Sequence, residues 1–181
     1  NLEKINDAKI FAKLKHKGLK RDNSKTPYWK HLEKVVKNLE KLGIKDESIL
    51  CAGWLHDTIE DTSTDYDDIY EKFGKKTADI VVTVTKDTRM IKKSREIAYC
   101  NQLKKGTWQA QIVKFGDILA NMEDLKSYSK PMPDRKKQAK NKLLYYNVIK
   151  TGLNKNKKQI PNLNAEIERL SNVFLKYGIK I

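Results

Sequence analysis

Residues 77–85 read TADIVVTVT, and whether they form a strand or a helix decides the fold class. The β-branched run suits a buried strand, because side chains branched at Cβ pack well on a pleated surface. A strand needs a partner, however, and no other segment of the chain alternates apolar and polar residues with period two. The segment is therefore expected to be a helix, and the whole chain all-α.

Working outward from that segment, the helical period recurs on both sides. Toward the N-terminus, residues 66–73 form a short helix closed by Gly74, and Asp46 is a plausible N-cap for a helix running ESILCAGWLHDTIE. Residues 28–42 place Tyr28, Leu32, Val35, Leu39 and Leu42 on one stripe, stopped by Gly43. Residues 2–16 carry Leu2, Ile5, Ala8, Phe11 and Leu14, with Gly18 as the stop. Toward the C-terminus, a basic connector, KDTRMIKK, leads to helices over 94–104 and 107–127, separated at Gly106. Two prolines in SKPMPD interrupt the pattern before helices over 134–151 and 162–177. No repeat or long linker divides the chain. One compact domain over residues 1–181, with about eight to nine helices, is expected.

The composition narrows the function. Hydrophobic residues make up 39% and charged residues 34%, the balance of a globular protein with a wetted exterior. No apolar run approaches the roughly 18–20 residues of a membrane span. The opening residues lack the apolar core of a secretory signal, and the missing initiator Met suggests that some N-terminal residues precede Asn1. Cys51 and Cys100 form no metal-like spacing and read as small packed residues in a reducing cytoplasm.

The net charge is +15, from 38 basic and 23 acidic side chains, yet only five of the basic ones are Arg. Lysines scattered along every segment mostly solvate the surface, and arginine is the better bidentate reader of phosphate. A small anionic substrate accounts for the excess as well as a polynucleotide does.

Against that basic background, residues 54–62, WLHDTIEDT, gather His56, Asp57, Glu60 and Asp61 at the end of a helical pattern. Carboxylates are disfavoured there by the helix dipole, so a positive partner is implied. Helical spacing brings His56 toward Glu60 and Asp57 toward Asp61. An imidazole with a carboxylate makes a donor set for Mn, Fe, Zn or Mg. Two donors are not a site. His31, near the edge of its stripe, and Asp117, on a face with Lys114, Asn121 and Asp124, are candidates to complete it. Taken alone, each reads more simply as ordinary helix polarity. His16 is set aside as a ligand because no acidic neighbour lies near it in the chain.

Four blocks in order, TPYWKH, WLHDTIEDT, YEKFGKKTADIVVTVTK and IVKFGDILANMEDL, resemble the HD-type hydrolase domain of the RelA/SpoT alarmone family, its small single-domain members above all. The likeness runs from about residue 10 to 150. HD alone is shared by a large superfamily, whereas HD-x-x-ED marks the alarmone branch. The resemblance implies a divalent ion, usually Mn²⁺, held by His31, His56, Asp57 and Asp117. It implies Glu60 and Asp61 as the catalytic pair, and Arg21, Lys92 and Asn121 as substrate contacts. The implied reaction removes the 3′-diphosphate of (p)ppGpp by metal-activated water, in the cytoplasm. No synthetase half follows residue 181, so nucleotide synthesis is not expected. Three departures stand out: Gly116 replaces a common alanine, the Arg21 loop is short, and the family's tyrosine on the penultimate helix has no clear match, though Tyr145 and Tyr146 are near.

Two other readings compete. One is an HD-superfamily phosphatase acting on another nucleotide, such as NADPH or a nucleoside monophosphate. The other, of a different class, is a basic nucleic-acid-binding helical domain with an inactive pocket.

Overall fold

The structure, a computed structural model, describes all of residues 1–181 and contains no strand. Nine helices of eight residues or more are joined by one single-turn helix. In chain order they are α1 (Leu2–Lys15), α2 (Trp29–Lys41), α3 (Glu47–Leu55), α4 (Thr58–Asp61), α5 (Tyr66–Phe73), α6 (Lys75–Thr83), α7 (Lys92–Lys105), α8 (Trp108–Asp124), α9 (Met132–Lys155) and α10 (Leu163–Leu175). The ambiguous β-branched segment lies largely in α6. Thr77, Ala78, Ile80 and Val81 are buried there, in a helix that packs on α3 and α5. Tertiary burial overrides the local strand preference, as weak propensities allow.

The centre of the fold is α8. Every residue from 110 to 120 is buried, so this helix is enclosed on all sides. Helices α2, α3, α6, α7, α9 and α10 pack around it, and α1 lies against α3 and α2. A buried amide joins the two helices that matter most for the site: Asn38 Nδ2 on α2 donates to the Gly116 carbonyl on α8 at 3.0 Å. No helix is long and apolar enough to cross a membrane.

Two boundaries differ from expectation, each for a local reason. The prolines of SKPMPD open α9 instead of interrupting it: Pro131 is the N-cap and Pro133 sits in the first turn, where a missing N–H costs nothing. The helix expected to run through Glu60 stops at Leu55. Two side chains take carbonyls of its last turns: His56 Nδ1 donates to Gly53 O at 2.8 Å and Thr58 Oγ1 to Leu55 O at 2.6 Å. Such side-chain bonds compete with the backbone ladder. The chain turns at His56 and Asp57, then resumes as the single-turn α4.

Close approach of α2 and α3 explains Gly53. A Cβ there would lie 2.8 Å from Leu39 Cδ1 and 3.0 Å from Val36 Cγ2. Gly116 is different, since an added Cβ would meet Val35 O at 3.4 Å and Leu39 Cδ2 at 3.5 Å, ordinary contact. Gly116→Ala is therefore expected to fold and to gain up to about 1 kcal/mol from helix propensity, read by thermal unfolding. A marked loss of stability would show that α2 and α8 cannot accept the methyl group.

Candidate active site

Three elements deliver one cluster. His31 comes from the first turn of α2, His56 and Asp57 from the break between α3 and α4, and Asp117 from the middle of α8. His31 Nε2 lies 2.9 Å from Asp117 Oδ1 and 3.7 Å from Asp57 Oδ2. His56 Nε2 lies 3.1 Å from Asp57 Oδ2 and 3.4 Å from Asp117 Oδ1. One ligand atom from each of His31, His56 and Asp117 falls within 4.8 Å of the others. The four predicted donors thus converge.

The histidine geometry suits a cation. With Nδ1 donating to Gly53 O, Nε2 is the ring atom turned toward the two carboxylates, the atom a cation there would meet. That Nε2 is buried and has no hydrogen-bond partner. A buried polar atom without a partner is costly. Two imidazoles and two carboxylates form a borderline-to-hard donor set that fits a divalent ion. The outer hydrogen bond to Gly53 O fixes the His56 ring as metal-binding histidines require, whereas His31 Nδ1 has no partner.

Charge inside the cluster is balanced by an unexpected lysine. Lys114 is buried on α8, with Nζ 2.9 Å from Asp117 Oδ2 and over the rings of Tyr99 and Tyr145. Burial works against its charge, but Tyr99 and Asp117 outweigh that and hold its pKa well above the usual lysine value. Burial likewise opposes ionisation of Asp117, yet Lys114 and the histidines keep its carboxyl well below the usual range. Asp57 follows the same pattern, with His56 as the main opposing charge. For His56, burial is overcome by Asp57 and the pKa rises; for His31, burial wins and the pKa falls.

The α8 face bearing Lys114, Asp117, Asn121 and Asp124 is therefore not the solvated surface its polarity suggests. Lys114 and Asp117 are buried, and Asn121 and Asp124 are half-buried.

Glu60 faces the same chamber and accepts the backbone N–H of Lys86 at 2.5 Å. Burial pushes its carboxyl pKa up, against the pull of that hydrogen bond. Asp61 does not line the chamber; its Oδ2 lies 3.6 Å from His16 Nε2. His16 has no acidic neighbour along the chain, and the fold supplies one across 45 residues.

Of the predicted substrate contacts, two are brought in. Arg21 Nη2 donates to Asn121 Oδ1 at 2.8 Å, and Asn121 Nδ2 donates to Asp117 Oδ1 at 2.9 Å. Lys92 is exposed on the first turn of α7 and lines neither cavity of the site. The cations lining the chamber are Lys86, Lys114 and Lys142 instead. Next to it, sharing Asn121 and Lys142, a second polar cavity with about 650 Å³ of open space is lined by Arg21, Asn23, Ser127 and Gln138 among others. Metal-type donors line the first, and a mixture of charged and neutral polar groups, Arg21, Asp22 and Asp124 beside Asn23, Ser127 and Gln138, lines the second.

Other side chains of the site escaped the sequence reading. Tyr28, assigned to an apolar stripe, donates its hydroxyl to Asp57 Oδ2 at 2.8 Å. Tyr145 donates to Glu96 and accepts from Lys86 Nζ at 2.8 Å. Its place on the penultimate helix of the fold was the one available signal.

Comparison with known proteins bears on this arrangement. Residues 8–147 match the family profile described as HD domain. The chain belongs to the HD-domain family. A Xenopus tropicalis relative named guanosine-3′,5′-bis(diphosphate) 3′-pyrophosphohydrolase MESH1 is 39% identical over 124 residues, 67% of this chain and 69% of the relative. The Danio rerio protein of the same name is 32% identical over 183 residues, covering 99% of this chain and 95% of its own. Among solved structures, one titled "A metazoan ortholog of SpoT hydrolyzes ppGpp and plays a role in starvation responses" superposes with a TM-score of 0.82 over 97% of this chain and 96% of its own, at 24% identity. That last likeness supports the all-α fold. The buried His and Asp cluster gives this HD domain a candidate divalent-metal site of its own.

Proposed function

We propose that this HD domain is a metal-dependent hydrolase that removes the 3′-diphosphate of (p)ppGpp as pyrophosphate, with Mn²⁺ as the ion. The observation that carries the reading is the buried His56 Nε2, without a protein partner, directed at Asp57 and Asp117 beside a lysine-lined chamber. The names of the Xenopus and Danio relatives support the substrate.

His31, His56, Asp57 and Asp117 would hold the ion. When bound, it supplies Lewis acidity toward a phosphoryl oxygen and lowers the pKa of water toward neutrality. Glu60, already in the chamber with a raised pKa, takes the proton as the water oxygen bonds to the phosphorus next to the ribose. The P–O3′ bond breaks, and the 3′-oxygen leaves with the proton that Glu60 gives back, Asp61 serving as the second member of the acid–base pair. Lys86, Lys142 and Arg21 offset the charge of the diphosphate. Arg21 and Asn121, at the junction of the two cavities, orient the nucleotide. The two free cysteines, Cys51 buried and Cys100 half-buried, accord with action in a reducing cytoplasm.

The test is a nucleotide panel with the purified protein and Mn²⁺, read as pyrophosphate and phosphate release, with calorimetry of ion binding. Pyrophosphate release from ppGpp, exceeding phosphate release from NADPH or a nucleoside monophosphate, is the expected result. A protein that binds Mn²⁺ but acts only on NADPH would replace the substrate. One that binds no divalent ion would remove the site altogether.

The chamber also implies a pH limit. Burial pushes the Lys142 pKa down to about 8, and the neighbouring charges of Lys114, Lys86 and Arg21 add to the effect against the pull of Asp117. A lysine is cationic below its pKa and neutral above it. Its help in binding an anion is thus present below about pH 8 and lost as pH rises through that value. The free enzyme's groups appear in kcat/KM, which should fall on the alkaline side. Lys142→Arg should remove that limb of the profile. A fall in the arginine variant with the same midpoint would assign it to another group.

A further inference from the structure

We infer that His16 is a positioning residue of the active site, its Nε2 accepting from the Asp61 carboxyl when that group holds a proton and its ring face steadying Tyr28 against Asp57. This rests on the hydrolase reading above and goes beyond it, since His16 belongs neither to the metal donors nor to the catalytic pair.

The ring is fixed from three sides. Nδ1 donates to the Ala12 carbonyl in the last turn of α1 at 2.9 Å, which settles the orientation of the imidazole. Its face stacks on Tyr28, centroids 5.1 Å apart and planes within 6°. Nε2 then points at Asp61 Oδ2 from 3.6 Å. The histidine is 1% exposed, and Nε2 has no hydrogen-bond partner. A small movement of Asp61, whose side chain is 31% exposed, closes that gap.

A helix-end histidine kept only for packing would not need a polar atom in this place. An unpaired buried nitrogen costs free energy that an apolar ring of similar size would not. The cost is explained if Nε2 has work to do when Asp61 takes or gives a proton. Tyr28 extends the effect, because its hydroxyl is on Asp57 Oδ2 at 2.8 Å. Through one imidazole, the end of α1 thus reaches both an expected metal ligand and an expected acid–base group. Asp61, Tyr28 and Ala12 are the polar and stacking neighbours that hold it.

Two variants separate positioning from packing. His16→Gln keeps a polar group that can reach Asp61, while His16→Met fills the space without one. For ppGpp hydrolysis with Mn²⁺, His16→Met should lower kcat roughly ten- to a hundredfold with KM little changed, the range for losing an outer partner that orients a working group. His16→Gln should recover most of that loss at equal thermal stability. In an Asp61→Asn background, His16→Met should keep only the smaller part of its effect, the part carried by the Tyr28 stack. Equal activity of the Gln and Met variants, or a full loss in the Asp61→Asn background, would overturn the inference.

A second readout does not depend on the substrate. In ¹⁵N spectra of the histidine rings, Asp61→Asn should move the His16 nitrogens and leave those of His31 and His56 nearly in place. Unmoved His16 signals would refute the contact. If the parent protein releases no pyrophosphate, the substrate reading fails while these spectra still decide the question of His16.

Discussion

Asp117→Ala is expected to abolish divalent-ion binding and to cost about 3–5 kcal/mol of stability, because it leaves a buried cation without its partner. Asp117 receives His31 Nε2, Asn121 Nδ2 and Lys114 Nζ, each at 2.9 Å. Lys114 is 6% exposed and has no other carboxylate within an ion-pair distance. Without Asp117, its ammonium stays between the rings of Tyr99 and Tyr145, which offset only part of the desolvation. Denaturant unfolding measures the loss. Adding Lys114→Met to the same chain should restore most of the stability and none of the metal binding. If the single variant were as stable as the parent, Lys114 would have found water, and the charge balance drawn here would be wrong.

Glu60→Gln should separate chemistry from architecture. The amide oxygen can still accept the Lys86 N–H, so the connector after α6 should stay in place. The group can no longer exchange a proton. Turnover is expected to fall roughly 10²–10⁴-fold, the usual worth of a general acid or base, while ion affinity and melting temperature stay near the parent's. Steady-state hydrolysis and calorimetry on one preparation give both numbers. A variant that keeps its turnover would move the proton-handling role to another group, Asp61 first.

How much could be read beforehand depended on distance along the chain. The helices were legible because their apolar stripes and stops are local, and α6 was legible by elimination, since a strand had nothing to pair with. Of the candidate metal donors, His56 and Asp57 were legible from their own spacing, and His31 and Asp117, 86 positions apart, only through resemblance. Lys114 was misread for a physical reason. A lysine three residues before an aspartate is the pattern of an exposed helix pair, and only the enclosure of α8 turns it into a buried one. The break at His56 was hidden as well, since it depends on side chains competing for carbonyls inside a continuous apolar period. Lys92 shows the converse. The basic connector reaches the chamber at Lys86, its first residue, while Lys92 is exposed on α7.

The buried amide between Asn38 and Gly116 has a consequence for how the protein is made. It marks the seam where α2 meets α8, and the cluster straddles that seam. Contacts of such long sequence separation form late, after the loop-closure entropy has been met. During synthesis, His31, His56 and Asp57 emerge well before Asp117, and an ion caught then would be held by an incomplete set. The four donors can meet only once α8 has docked on α2, so ion binding at this candidate site would report that the seam has formed.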